Sequence, residues 1–329
     1  MTIKEQILDL FKSYNELSVK EITDKTGASK QMVHIVLAKL LNEGQVYKMG
    51  RTPKTVYHFI SKPEEAKKHT STLLLTDKEN EFLNANFIVV TETGNLLRGT
   101  EAFEYWCLQR KLPVQKTFDE FVLTKKKYAH YYNKQGLVNG TEKLVNTKGY
   151  EKIWLDELFY LDFYAIERFG KTALGTLLHY AKQGQNKYLM KIMMDVIAKR
   201  ITGFIKSSKA DAVGFVPPTI RREVQLMKYI QNNLKVSLPV IEIKKVSGII
   251  PVPQKSLAKL EERIRNAENT FAITERTNFK HIILIDDAVG SGSTLNQIAG
   301  KIKNKGVAEK ITGLAIVGSF KGFDVIADV

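Results

Sequence analysis

Ile282-Ile283-Leu284-Ile285-Asp286-Asp287-Ala288-Val289-Gly290-Ser291-Gly292-Ser293-Thr294 is the stretch on which the reading of this chain turns. Four apolar, mostly β-branched residues predict a short strand buried on both faces, as in a parallel sheet. Asp286 and Asp287 stand where that strand is expected to end. Gly290 to Thr294 form a small-residue loop, and the sequence from Leu295 to Lys303 predicts a helix behind it.

Glycines let backbone N–H groups turn inward, hydroxyls add donors, and a helix N-terminus adds partial positive charge, so the loop can cradle a phosphate. Two carboxylates repel phosphate but accept hydrogen bonds from sugar hydroxyls or share a cation. The predicted ligand is a ribose 5-phosphate group. An ATP-type P-loop is excluded, because its Gly-Lys-Ser/Thr ending is missing. The dinucleotide fingerprint also fails. Leu295 takes the place of its third small residue, and the acids precede the glycines rather than following by about 20 residues.

The rest of the chain supplies two further loops. Ala212–Val216 predicts a buried strand ending at Pro217-Pro218-Thr219, with Arg221 and Arg222 close behind, a combination suited to a pyrophosphate. Residues 244–259 form a long loop rich in Lys, Gly and Pro, the kind that serves as a lid or binding loop. Strands alternating with helices predict an α/β parallel sheet whose ligands sit at the strand carboxyl ends.

At the N-terminus, residues 2–14, Ser18–Thr26 and a segment capped by Ser29 predict three helices, with Gly27 and Gly44 as stops. Met32, Val33, Val36, Leu37, Leu40 and Leu41 are expected on the buried side of the third. Two strands, Val46–Met49 and Thr55–Phe59, flank the basic turn Gly50-Arg51-Thr52-Pro53-Lys54. The pattern resembles a winged helix-turn-helix. That resemblance implies DNA contacts from Lys30, Gln31 and His34 in the major groove and from Arg51 and Lys54 on the wing.

The expected division is 1–60, a 61–69 linker, a 70–150 α+β region of unassigned role, and 151–329. In the third, Thr100 is expected to cap a helix, and Lys125-Lys126-Lys127 beside Tyr128, Tyr131 and Tyr132 reads as a solvated face over an aromatic core edge. The net charge of +15 favours anionic partners, but it is spread as +3, +7 and +5 over residues 1–60, 61–209 and 210–329. No apolar run reaches membrane length, no signal-peptide core is seen, and Cys107 alone can form neither an internal disulfide nor a cysteine zinc site. A cytoplasmic location without membrane partners is expected. The histidines show no metal-ligand spacing, so no protein metal site is expected.

The strand, the Asp-Asp pair and the loop ending in Gly-x-Thr resemble the signature of the type I phosphoribosyltransferases. The resemblance implies that sheet fold, preceded here by the winged helix, and a ligand, phosphoribosyl pyrophosphate, bound with Mg2+. It implies catalytic Asp286 and Asp287 on the ribose hydroxyls and Ala288 to Thr294 around the 5-phosphate. Pro217, Pro218, Thr219, Arg221, Arg222 and Lys245 are implied near pyrophosphate. Pro217-Pro-Thr-x-x-Arg222, Pro253-Gln254, Arg263, Asn266, Asn269-Thr-Phe271 and a His179-Tyr-Ala-Lys182 piece are similar to the ComF branch, which is associated with DNA uptake. Arg263 joins the expected ligand residues on that basis. The likeness covers roughly Trp154 onward and lacks the branch's four-cysteine module; a winged helix before this fold is similar to the purine repressor. Ribosyl transfer to a base, nucleotide sensing with DNA binding, and a competence or phage-defence role therefore stand as the alternatives, with a homodimer expected.

Overall fold

A computed structural model of the chain describes residues 2–14, 16–49, 55–59, 73–147, 149–218, 220, 222–246, 262, 264 and 270–319. The chain divides into two compact units, residues 1–70 with 187–191 and residues 71–186 with 192–329.

The first unit runs α1 (Ile3–Ser13), β1 (Glu16–Ser18), α2 (Val19–Thr26), α3 (Lys30–Asn42), β2 (Val46–Met49) and β3 (Val56–Phe59). Its helix starts are encoded locally. Thr2 and Glu5, then Ser18 and Glu21, form reciprocal capping boxes, and Ser29 Oγ accepts the Met32 amide. Gly27 ends α2 at φ +67°, a left-handed conformation that glycine adopts without cost. The strands form an antiparallel sheet in the order β1-β3-β2. Ile7, Phe11, Ile22, Val33, Leu37, Leu40, Val46 and Tyr57 share the core with Leu17 of β1, a strand the sequence reading missed. Met32 departs from expectation: it is 42% exposed, because its position on α3 lies outside the Val33–Leu37–Leu40 stripe. Arg51, Lys54 and the turn that carries them, with the 61–69 linker, lie outside the described residues.

The second unit opens with α4 (Asp77–Asn86), β4 (Ile88–Val90), β5 (Leu96–Arg98), α5 (Gly99–Gln109), α6 (Val114–Ala129), β6 (Val138–Asn139) and α7 (Thr141–Asn146). Next come β7 (Glu157–Phe163), β8 (Ala165–Ile166), β9 (Gly170–Lys171), α8 (Ala173–Gln183), α9 (Lys187–Ser208), β10 (Ala212–Phe215), α10 (Leu226–Asn233), β11 (Val240–Ile241) and β12 (Ile243–Lys245). Then follow β13 (Phe271–Ile273), β14 (Phe279–Val289), α11 (Ser293–Asn304) and β15 (Ala308–Gly318).

Among the described residues six strands form the main sheet in the order β11-β10-β14-β15-β7-β6, all parallel except β6, which pairs antiparallel with β7. Helices flank this sheet, so the class is α/β. Ile282–Ile285 at its centre are fully buried, as a strand covered on both faces requires. Phe271–Ile273 pairs with β12 in a separate two-stranded sheet rather than at the edge of the main one.

No break falls at residue 150. Phe87, Phe103, Trp106, Phe118 and Phe121 pack with Phe169 in one aromatic cluster, and Val138 of β6 pairs with Tyr160 of β7. The 70–150 region is therefore built into the sheet unit. Thr100 does not cap α5: the helix begins at Gly99 after Arg98, and the Thr100 hydroxyl donates to Asn80 Oδ1 at 2.8 Å. The lysine run follows expectation. Tyr128 is buried edge-on against Phe163, the Tyr132 hydroxyl donates to Asp162, and Lys127 pairs with Glu167 at 2.7 Å.

Candidate functional site

β14 does not stop at the aspartates. Asp286 pairs in register with Ala315 and Val289 with Gly318, so the strand continues three residues past the expected break at Asp286. The reason is cross-strand: β15 is long enough to pair with it throughout. The turn then falls at Gly290–Gly292. Gly292, at φ +85°, is the N-cap of α11 and supplies no side-chain cap. A Cβ there would come within 2.8 Å of Leu144 Cδ1, so a larger residue would have to displace that side chain as well as adopt a strained conformation.

The loop is braced from outside. The Tyr150 hydroxyl donates to the Ser291 carbonyl at 2.8 Å, Ser291 Oγ lies 3.1 Å from Ser293 Oγ, and the Ser293 amide donates to Ser291 Oγ. Asn296, fully buried on α11, accepts the Trp154 and Leu155 amides at 2.7 and 3.2 Å and donates to the Lys152 carbonyl. Alanine at Asn296 strands those groups. It is expected to cost about 2–3 kcal/mol, read as a lowered denaturant midpoint with an unchanged slope.

One cleft gathers seven of the predicted ligand residues. Pro217, Pro218, Arg222, Asp286, Asp287, Ala288 and Thr294 line it, together with Tyr164, Leu178, His179, Lys182, Gln183 and Gln225. Between Ala288 and Thr294 come Val289, the last residue of β14, the turn Gly290–Gly292, and Ser293, the first residue of α11. Lys245 is not part of this lining; it pairs with Phe271 in the β12–β13 ladder, because residues 240–245 divide between two sheets. Thr219, Arg221, Arg263, Pro253, Gln254, Asn266 and Asn269 lie outside the described residues.

The side chains that sequence reasoning missed come from α8, which crosses the carboxyl edge of the sheet. Its N-terminus is tied to the end of β7: Thr172 Oγ1 accepts the Gly175 amide at 3.0 Å and donates to the Phe163 carbonyl at 2.7 Å. Its C-terminus is tied to the loop after β10. There the Arg222 guanidinium donates to the Lys182 carbonyl and to Gln183 Oε1, and the Val224 amide donates to Gln185 Oε1. Arg222 is thus engaged in clamping a helix end, where the sequence reading expected it to face pyrophosphate. Gly175, Leu178, His179 and Lys182 follow the i, i+3, i+4, i+7 spacing of one helix face, and the last three line the cleft. That spacing was the available signal: a histidine and a lysine on an otherwise apolar stripe.

Lys182 Nζ lies 2.6 Å from Asp287 Oδ2, and the Tyr164 hydroxyl lies 3.0 Å from His179 Nδ1. Burial and the adjacent Asp287 push the Asp286 carboxyl up to about 7, against the opposing pull of Lys182 and of the Asp287 amide, which donates to Asp286 Oδ1. Among the described residues no group of three or more His, Cys, Asp or Glu side chains is arranged to hold a metal. Mg2+ usually binds through one or two carboxylates together with substrate phosphates. Asp286 and Asp287 offer such a pair of carboxylates, of which Asp287 is already paired with Lys182.

In the first unit, Lys30, Gln31 and His34 are all exposed on α3, beside Met32 and Ile35. No helix among the described residues is long and apolar enough to cross a membrane. No protein-family model and no curated protein sequence matches the chain.

Proposed function

We propose that the cleft binds phosphoribosyl pyrophosphate with Mg2+, and that the first unit is a winged helix-turn-helix that binds DNA. One observation carries the ligand assignment. Asp286 and Asp287 lie among the last residues of a central parallel strand, followed by Ala288, Val289 and a Gly/Ser turn that opens α11 without a side-chain cap. The amides of that helix start suit a 5-phosphate, and the two carboxylates suit the ribose hydroxyls. The reaction class is transfer of the ribosyl phosphate to a nitrogen nucleophile, in which a C–N bond forms and the C–O bond to pyrophosphate breaks. Positioning and charge carry such a step, with no covalent enzyme intermediate. Calorimetry with phosphoribosyl pyrophosphate and Mg2+, run beside a pyrophosphate-release assay over a panel of bases, tests both halves. Absence of binding sinks the assignment.

A sensing role is the second reading, favoured by the exposed face of α3. There the pocket biases DNA binding without turnover, which requires different ligand affinity in the free and DNA-bound states. Ligand binding with no pyrophosphate release selects this reading over transfer. On either reading, Lys30→Ala is expected to weaken DNA binding alike across sequences and to reduce the salt-dependence slope by about 1. Gln31→Ala is expected to cost about 1–3 kcal/mol at the preferred site only. Fluorescence anisotropy over a salt series checks both, and unchanged affinity and slope in the two variants would remove α3 from the interface.

A further inference from the structure

Asp287 is nearly enclosed, its side chain only 11% exposed, and a carboxylate so placed needs a cation or strong donors at all times. Lys182 supplies that cation at 2.6 Å, yet the phosphoribosyl reading gives the same carboxylate to the ribose hydroxyls. The two uses compete. Lys182's backbone is held by Arg222, so the helix end stays fixed while the flexible four-carbon side chain can turn. Pro217, Pro218 and Arg222 border the same cleft, so a pyrophosphate lodged there faces the same ammonium group.

We propose that Lys182 is an exchangeable counter-ion, which neutralises Asp287 before the ligand enters and moves to the ligand's pyrophosphate when the ribose hydroxyls replace it. The inference rests on the phosphoribosyl reading and adds a specificity rule to it. Ribose 5-phosphate takes Asp287 away from Lys182 and returns no anion to that side of the cleft. Phosphoribosyl pyrophosphate displaces the same ion pair and offers the ammonium a new, more highly charged partner. Lys182 therefore penalises the first compound and favours the second. It acts as a selector for the intact donor over the sugar phosphate that remains once pyrophosphate is lost.

The test is calorimetry of both compounds, with Mg2+ present throughout, on the unaltered 329-residue chain and on Lys182→Met. The variant is expected to lose on the order of tenfold in affinity for phosphoribosyl pyrophosphate, the scale of one charge-assisted hydrogen bond, and to gain affinity for ribose 5-phosphate. Opposite signs are the signature, since a lysine that merely holds the fold would lower both. Lys182→Arg, which keeps the charge, is expected to retain the wild-type preference. If methionine prevents folding, Lys182→Gln makes the same comparison. Wild-type binding of both compounds with an unchanged ratio in the variant overturns the exchange alone. Wild-type protein that binds neither overturns the phosphoribosyl reading and the exchange with it.

Discussion

Replacing Asp286 and Asp287 together with asparagine is expected to weaken phosphoribosyl pyrophosphate binding by about 100-fold or more. Each carboxylate offers charge-assisted acceptors worth about 1.5–3 kcal/mol against a neutral amide, and two of them share one ligand. The loss should appear in calorimetry without loss of fold, because the Asp286 charge is costly where it stands. Asp286 is raised above its ordinary range by burial and by the like charge of Asp287. A carboxyl raised in the folded state binds its proton more tightly there than in the unfolded chain. Its stabilising contribution is complete below the ordinary carboxylate range and is lost as pH climbs to about 7. Asp286→Asn alone is accordingly expected to flatten the decline in melting temperature between pH 4 and 7. A variant that melts as the wild type does across that interval would mean that Asp286 ionises normally.

Gly175→Ala is expected to cost about 2–4 kcal/mol, a large effect for one methyl group. A Cβ at this position falls on the Tyr164 carbonyl oxygen, a backbone atom that cannot rotate away. Alanine is ordinarily the better helix former by about 1 kcal/mol, so propensity and packing predict opposite signs, and packing wins. The strain also lifts α8 from the end of β7, moving Leu178, His179 and Lys182 relative to the aspartates. Denaturant unfolding reads the stability change, and weaker ligand binding at temperatures where the variant remains folded reads the displacement. A stabilised variant would show that α8 has room to shift.

What could be read in the sequence was what is encoded locally. Ser18 with Glu21 announces a helix start because the bonding partners lie three residues apart, and Gly27 announces its end by conformation alone. The Asp286-to-Thr294 run announces a strand, a turn and a helix start for the same reason. Features made by distant partners were hidden. β14 runs past the aspartates because β15 pairs with it, and Val138-Asn139 becomes a strand only because β7 lies alongside. Lys182 belongs to the cleft because Thr172 and Arg222 hold α8 across the sheet edge, an arrangement that spans some 50 residues of sequence. Arg222 shows the converse: its type and position suggested an anion, while its guanidinium is engaged with a helix end.

The bracing of the Gly290–Gly292 turn by Leu144 and Tyr150 sets a limit on how this protein can be shortened. The half that carries the recognisable motif begins near Trp154, after both of those side chains and after β6. A fragment cut there keeps every residue of the signature but exposes one edge of its sheet and unbraces its loop. The unit that can be recognised is smaller than the unit that can fold. A shortened chain made for ligand studies should therefore begin before α4, so that the aromatic cluster closing over Phe169 is retained.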